Sequence, residues 1–148
     1  MTASQATKAA LGLSIAGTLF AGFLTFSSMV LKRCAFGEPC PRLFNLPTCL
    51  FGFAFFLTLA LLTAASVFKL MERKTADELI VIVAAGGTIF ALRFALPEVA
   101  QIFGGRHFAM GLPTCAWGGI FFIAVLTLSI IAYRRRRSEE APVVAKTN

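Results

Sequence analysis

Four apolar stretches follow one another along the chain, and every charge but one lies outside them. A transmembrane helix needs about 20 predominantly apolar residues, and each stretch has roughly that length. The exception is Arg93, whose position near the end of the third stretch lets it snorkel to the interface. The pattern predicts an all-α membrane protein, a bundle of four transmembrane helices. The stretches cover approximately residues 9–31, 47–68, 79–96 and 113–133.

The composition supports a membrane protein with one domain. The 148 residues are 57% hydrophobic and include 16 Phe, and the mean hydropathy is +0.80. A soluble domain of this size would leave much of that apolar surface exposed to water. We therefore expect a single integral membrane domain over residues 1–148. Its polar end, residues 138–148, is expected to be a disordered cytoplasmic tail.

Basic residues are unevenly divided between the two sides of the predicted bundle. With four spans, both termini and the middle loop share one side, which holds nine Lys and Arg residues against five on the other. Because positive residues favour the cytoplasm, we expect both termini to be cytoplasmic. The arginine run at residues 134–137 fits a stop-transfer anchor that touches anionic membrane lipid. The formal charge of +7 is thereby explained by the membrane, and no nucleic-acid partner is expected.

A four-residue phrase that contains a cysteine occurs twice. Residues 46–49 and 112–115 both read Leu-Pro-Thr-Cys, and each copy opens an apolar stretch. These copies are 66 residues apart, and residues 17–21 resemble residues 87–91 at a spacing of 70. The bundle is therefore predicted to be built from two tandem helical hairpins, related by an axis along the membrane normal.

Each repeated phrase places its cysteine in the first turn of a helix. Asn45 and Gly111 are candidate caps, because a proline two residues further on suits the first helical turn. The unpaired N–H groups and the positive end of the helix dipole favour thiolate there. Cys49 and Cys115 are therefore candidate redox residues. The alternative is that both are small packing residues.

Two further cysteines, Cys34 and Cys40, lie in the first loop, on the same side of the membrane as the other pair. With cytoplasmic termini, that side is the oxidising compartment of bacteria or of the secretory pathway. Gly37 and Pro39 can turn the segment between the two cysteines, so an internal disulfide is feasible. A structural bridge and a redox-active pair both fit, and four cysteines allow three pairings.

The remaining polar residues give weaker signals. His107 is the one histidine of the chain and has no accompanying ligand set, so no metal site is predicted. Pro97 is expected to end the third helix. Glu98 and Gln101 follow it, and they either relay protons or lie at a solvated helix end.

Several segments together resemble the vitamin K epoxide reductase family, including its bacterial disulfide-forming members. The resemblance implies a four-helix bundle that encloses a quinone near the outer face of a bacterial inner membrane. In that family, loop cysteines receive electrons from a partner thiol, here expected to be a thioredoxin-fold protein, and pass them to a Cys-x-x-Cys pair that reduces the quinone. The segments that carry the resemblance are residues 17–25, Cys34 with Cys40, residues 41–47 and the Gly-Phe-rich helix from Gly52.

The resemblance implies roles for individual residues. Cys34 and Cys40 would be the shuttle pair, and Cys115 would face the quinone. Leu112 stands where the family has the first cysteine of the Cys-x-x-Cys pair. Either Cys49 takes the place of that cysteine, or the activity is altered or lost. The candidate quinone contacts are Thr48, Thr114 and Trp117. The hydroxyl groups of the two threonines would donate hydrogen bonds to a quinone carbonyl.

The expected function is a membrane thiol–disulfide oxidoreductase that passes electrons from the outer-loop cysteines to a quinone. The alternative is a non-catalytic accessory or assembly subunit with structural cysteines, which the missing cysteine at position 112 favours. A small-solute transporter is less well supported. Such a protein normally carries a polar residue at mid-membrane, and no charged residue lies there in this chain.

Overall fold

The computed structural model describes residues 2–31, 42–105 and 112–144. Within them lie four helices: α1 (Ala3–Leu31), α2 (Thr48–Val67), α3 (Arg73–Phe103) and α4 (Thr114–Val144). Each helix is long and apolar enough to cross a membrane, with a mean hydropathy over an 18-residue segment of 1.8 in α1 and 2.2 in each of the other three. The sequence-based expectation of an all-α, four-helix membrane bundle is confirmed.

The helices are arranged as two hairpins. α1 packs most extensively against α2, and α3 against α4, while contacts of α1 with α4 and of α2 with α3 join the two hairpins. The helices α2 and α4 therefore face each other across the centre of the bundle. This arrangement confirms the tandem hairpins expected from the sequence repeat.

The centre of the bundle is formed by aromatic rings packed against glycines. The rings of Phe56 on α2 and Phe122 on α4 stack with centroids 4.0 Å apart. A Cβ added at Gly17 on α1 would lie 2.5 Å from the Phe56 ring, and one added at Gly87 on α3 would clash with Phe122 in the same way. The two contacts occupy equivalent positions in the repeat. In both, a glycine without a side chain lets the neighbouring helix approach closely.

A short β-hairpin precedes α2. Its strands β1 (Arg42–Leu43) and β2 (Leu46–Pro47) pair antiparallel. Phe44 and Asn45 form the turn with φ angles of 52° and 66°, and a positive φ at both central residues is typical of the type I′ hairpin turn. Asn45 is therefore a turn residue, and its expected role as a helix cap is wrong. Pro47 occupies the cap position of α2.

The helix α3 continues past Pro97 and ends at Phe103, so the expectation that Pro97 ends the third helix is wrong. Proline removes one backbone hydrogen bond. Transmembrane helices tolerate this loss because neighbouring helices and local adjustments satisfy the freed carbonyl. As a consequence, Glu98 lies within a helix that packs against α4.

A partly buried ion pair ties three helices together at the end of the bundle where α1 and α3 begin, which we call the arginine end. The Nη1 atom of Arg136 donates to both carboxylate oxygens of Asp77 at 2.8 and 2.7 Å, and Nη2 donates to the Thr7 hydroxyl at 2.7 Å. One residue of the arginine run therefore points back into the bundle. α4 itself continues as a helix to Val144, beyond residue 138, where a disordered tail was expected to begin.

Candidate functional site

An apolar cavity lies at the opposite end of the bundle, where α2 and α4 begin, which we call the cysteine end. It has an empty volume of about 500 Å³ including its open side, and all four helices contribute to its wall. The lining residues are Phe20, Ala21, Leu24, Thr48, Cys49, Gly52, Phe56, Phe90, Ala91, Phe94, Thr114, Cys115, Gly118 and Phe122.

The wall of this cavity repeats itself. The lining residues of α1 and α3 match at the spacing of 70, and those of α2 and α4 match at the spacing of 66. Every pair consists of identical residue types except Leu24 and Phe94. The cavity is therefore built from equivalent residues of the two hairpins, and a molecule bound there would meet nearly the same side chains from both.

Cys49 and Cys115 are each the second residue of their helix, so the expectation that both lie in a first helical turn is confirmed. Both are partly buried, both line the cavity, and no disulfide joins them. The two thiols are also close enough to interact electrostatically. The structure thus brings the repeated cysteines together at one site.

Glycines leave room beside the thiols. Gly52 and Gly118 lie three residues after the two cysteines, which places each glycine on the helix face of its cysteine. A Cβ added at either glycine would meet no neighbouring atom within 4 Å. Part of the cavity therefore exists because these positions lack a side chain, and the stacked rings of Phe56 and Phe122 form its base.

Two buried threonines add hydroxyl groups to this otherwise apolar wall. Thr48 and Thr114 are 3% and 6% exposed. The Thr48 hydroxyl lies next to the Cys115 thiol, but it makes no hydrogen bond of good geometry with any residue in the described part of the chain. A buried hydroxyl normally finds a partner, so Thr48 can supply a donor to a ligand in the cavity.

Glu98 is the site residue that sequence reasoning undervalued. Its carboxyl group interacts with the Cys115 thiol, and its Oε2 atom is buried. Glu98 follows Phe90 and Phe94 at intervals of four, so the three share a face of α3. That spacing could have indicated the site. The expectation that the helix ends at Pro97 hid this relation, because Glu98 would then lie outside the helix that carries Phe90 and Phe94.

Of the other sequence-based candidates, one is outside the cavity wall and three are outside the described residues. Trp117 is not among the residues that line the cavity, and its buried indole N–H has no hydrogen-bond partner in residues 2–31, 42–105 and 112–144. Cys34, Cys40 and His107 fall outside the described residues. Among the residues that are described, no group of three or more His, Cys, Asp or Glu side chains could hold a metal ion.

Comparison of the chain with models of known protein families, with curated proteins and with solved structures found no match.

Proposed function

We propose that this chain is a membrane thiol–disulfide oxidoreductase, similar to the vitamin K epoxide reductase family, that transfers electrons from protein thiols to a quinone. The observation that carries the proposal is the placement of two equivalent thiols, Cys49 and Cys115, in one apolar cavity at the end of a transmembrane bundle. Quinones partition into membranes, and an apolar cavity at the end of membrane-spanning helices suits a ligand of that kind.

The cavity offers what a quinone ring needs. Phenylalanine rings from all four helices line it, and aromatic rings favour offset stacking on a flat ligand. A quinone carbonyl accepts hydrogen bonds, and the buried Thr48 hydroxyl is a donor that lacks a well-formed bond within the described residues. The symmetric wall supplies Thr114 on the opposite side, which suits a ligand with two opposed carbonyl groups.

The proposed reaction is a two-electron thiol oxidation. Cys49 and Cys115 each lose a proton, and one S–S bond forms between their sulfur atoms. The two electrons and two protons convert the quinone to the quinol. Glu98, which interacts with the Cys115 thiol, would accept the proton of that thiol and pass it to the quinone. The space beside Gly52 and Gly118 lets the two sulfurs approach although their helices lie diagonally across the bundle.

The loop cysteines complete the proposed electron path. Cys34 and Cys40 would take electrons from a thioredoxin-fold partner and reduce the Cys49–Cys115 disulfide by thiol–disulfide exchange. In this scheme Cys49 performs the task of the relay cysteine that Leu112 replaces. The charge bias of the loops supports placing the cysteine end and these loop cysteines outside a bacterial inner membrane, with both termini in the cytoplasm.

Turnover of cysteine variants tests the proposal. The full chain in detergent is supplied with a dithiol reductant and a short-chain quinone, and quinol formation is followed against the uncatalysed background. We expect Cys49→Ser and Cys115→Ser each to reduce the rate to that background, and the double variant to fall no further, because residues that act as a unit are not additive. Full activity in either single variant would contradict the proposed role of Cys49 in place of the relay cysteine.

The alternative function is a non-catalytic accessory or assembly subunit of the membrane, favoured by Leu112 at the position of a relay cysteine. It makes the opposite prediction for the same assay. The wild-type chain would form quinol no faster than the background. Both serine variants would lower the unfolding temperature, because the cysteines would then serve only the structure of the bundle.

A further inference from the structure

A second cavity lies at the arginine end, where α1 and α3 begin and α2 ends. It has an empty volume of about 760 Å³ including its open side. The first turn of α1 forms one wall, the last turn of α2 another, and Arg73 and Arg136 close the remaining sides. Unlike the cavity at the cysteine end, this one is lined mainly by hydroxyl groups and basic side chains.

The charge on this wall is positive and only partly compensated. Lys8, Arg73 and Arg136 line the cavity. Asp77 pairs with Arg136 at 2.7 Å. Glu72 precedes Arg73 but does not line the cavity. Two further basic side chains, Lys8 and Arg73, line the cavity, and neither is in an ion pair with a carboxylate whose side chain the structure describes.

A buried hydroxyl supplies an independent indication of a ligand. Ser66 is 4% exposed and lines the cavity, yet its Oγ atom has no hydrogen-bond partner in the part of the chain that the structure describes. Other buried hydroxyls of this bundle, such as those of Thr63 and Ser129, donate to the backbone carbonyl four residues earlier. Ser66 departs from that pattern, and its hydroxyl lies in the cavity wall, where it could donate a hydrogen bond to a ligand oxygen.

We propose that this cavity binds one phosphate-like oxyanion. Lys8 and Arg73 supply charge, Ser66 donates a hydrogen bond, and the first turn of α1 lines the same space. The Gln5 N–H of that turn is already bonded to Thr2 Oγ1, so the turn contributes mainly the positive end of its helix dipole. Anions bind favourably at helix N-termini for this reason, and charge-assisted hydrogen bonds strengthen the contact. The group could belong to the headgroup of an anionic lipid or to a soluble phosphate, since the cavity opens at the end of the membrane-spanning helices.

Two arms of one experiment test the site and distinguish the sources. In the first, the full chain in detergent is unfolded by heat in phosphate and in chloride of equal ionic strength. In the second, the protein is released from nanodiscs of phosphatidylcholine with phosphatidylglycerol, and retained phosphatidylglycerol is counted by native mass spectrometry. The variants are Ser66→Ala and Arg73→Gln. Lys74→Gln is the matched control, because Lys74 carries the same charge one residue further on and does not line the cavity.

We expect a phosphate-specific rise in the unfolding temperature, retention of one phosphatidylglycerol, or both. A positive result in the first arm alone indicates soluble phosphate as the ligand. A positive result in the second arm alone indicates a lipid headgroup. Arg73→Gln should weaken binding about tenfold, the value of one charge-assisted hydrogen bond, and Ser66→Ala should weaken it less. The proposal is overturned if neither arm detects binding in the wild-type protein. It is equally overturned if Lys74→Gln weakens binding as much as Arg73→Gln, because binding would then depend on surface charge alone.

Discussion

At the scale of single residues, the cavity at the cysteine end depends on where a few polar groups stand in an apolar wall. Sequence reasoning identified Cys49, Cys115, Thr48 and Thr114, because the repeat marked them, and the structure places all four on the wall of one cavity. It undervalued Glu98, whose contact with Cys115 depends on a helix that continues through a proline. Local sequence rules describe the usual effect of proline, and tertiary packing overrode them here.

The hydroxyl of Thr48 offers a sharp test of quinone binding. Thr48→Val keeps the shape of the side chain and removes the donor, so we expect the KM for quinone to rise about fivefold, the value of one neutral hydrogen bond. Thr58→Val is the matched control, because Thr58 is exposed on the same helix and donates only to its own backbone at Ala54. Steady-state kinetics over a range of quinone concentrations measure both. An equal rise in the two variants would remove Thr48 from the binding site.

At the scale of helices, α1 and α3 contribute a different kind of packing surface from α2 and α4. The buried residues of α1 and α3 are mostly small, such as Ala10 and Ala84, while α2 and α4 present large side chains such as Phe56 and Phe122. Close packing of small against large residues supplies the association energy that lipid-exposed apolar surface cannot. The sequence repeat revealed this division, because the glycines of α1 and α3 recur at one spacing and the phenylalanines of α2 and α4 at another.

Alanine at the central glycines should therefore destabilise the bundle. The Cβ of Gly17→Ala would clash with the Phe56 ring, which cannot withdraw because Phe122 stacks against it. We expect a loss of about 1–3 kcal/mol in the free energy of unfolding, typical of overpacking, and a similar loss for Gly87→Ala. Gly12→Ala serves as control, since an added Cβ there meets no atom within 4 Å. Denaturant titration of the three variants in one detergent measures these losses. Equal stability of Gly17→Ala and Gly12→Ala would contradict the described packing of Gly17 against Phe56.

At the scale of the whole molecule, the two ends of the bundle differ in symmetry. The cysteine end keeps nearly identical residues in both hairpins. At the arginine end, by contrast, Asp77 corresponds to Thr7 at the spacing of 70, and Arg136 corresponds to the exposed Leu70 at the spacing of 66. The repeat could predict the symmetric cavity. It could not predict the contact of Arg136 with Asp77, because that pair depends on residues by which the two hairpins differ.

The central claim is that Cys49 and Cys115 act as one redox pair on a quinone, and a single-turnover measurement on a variant without the loop cysteines tests it most directly. Protein carrying Cys34→Ser and Cys40→Ser is fully reduced, freed of reductant and mixed with excess short-chain quinone. Quinol is measured by absorbance, and the cysteines are mapped by mass spectrometry of non-reduced peptides. We predict one quinol per protein together with a peptide in which Cys49 is disulfide-bonded to Cys115. The claim is contradicted if no quinol forms and both cysteines remain open to alkylation.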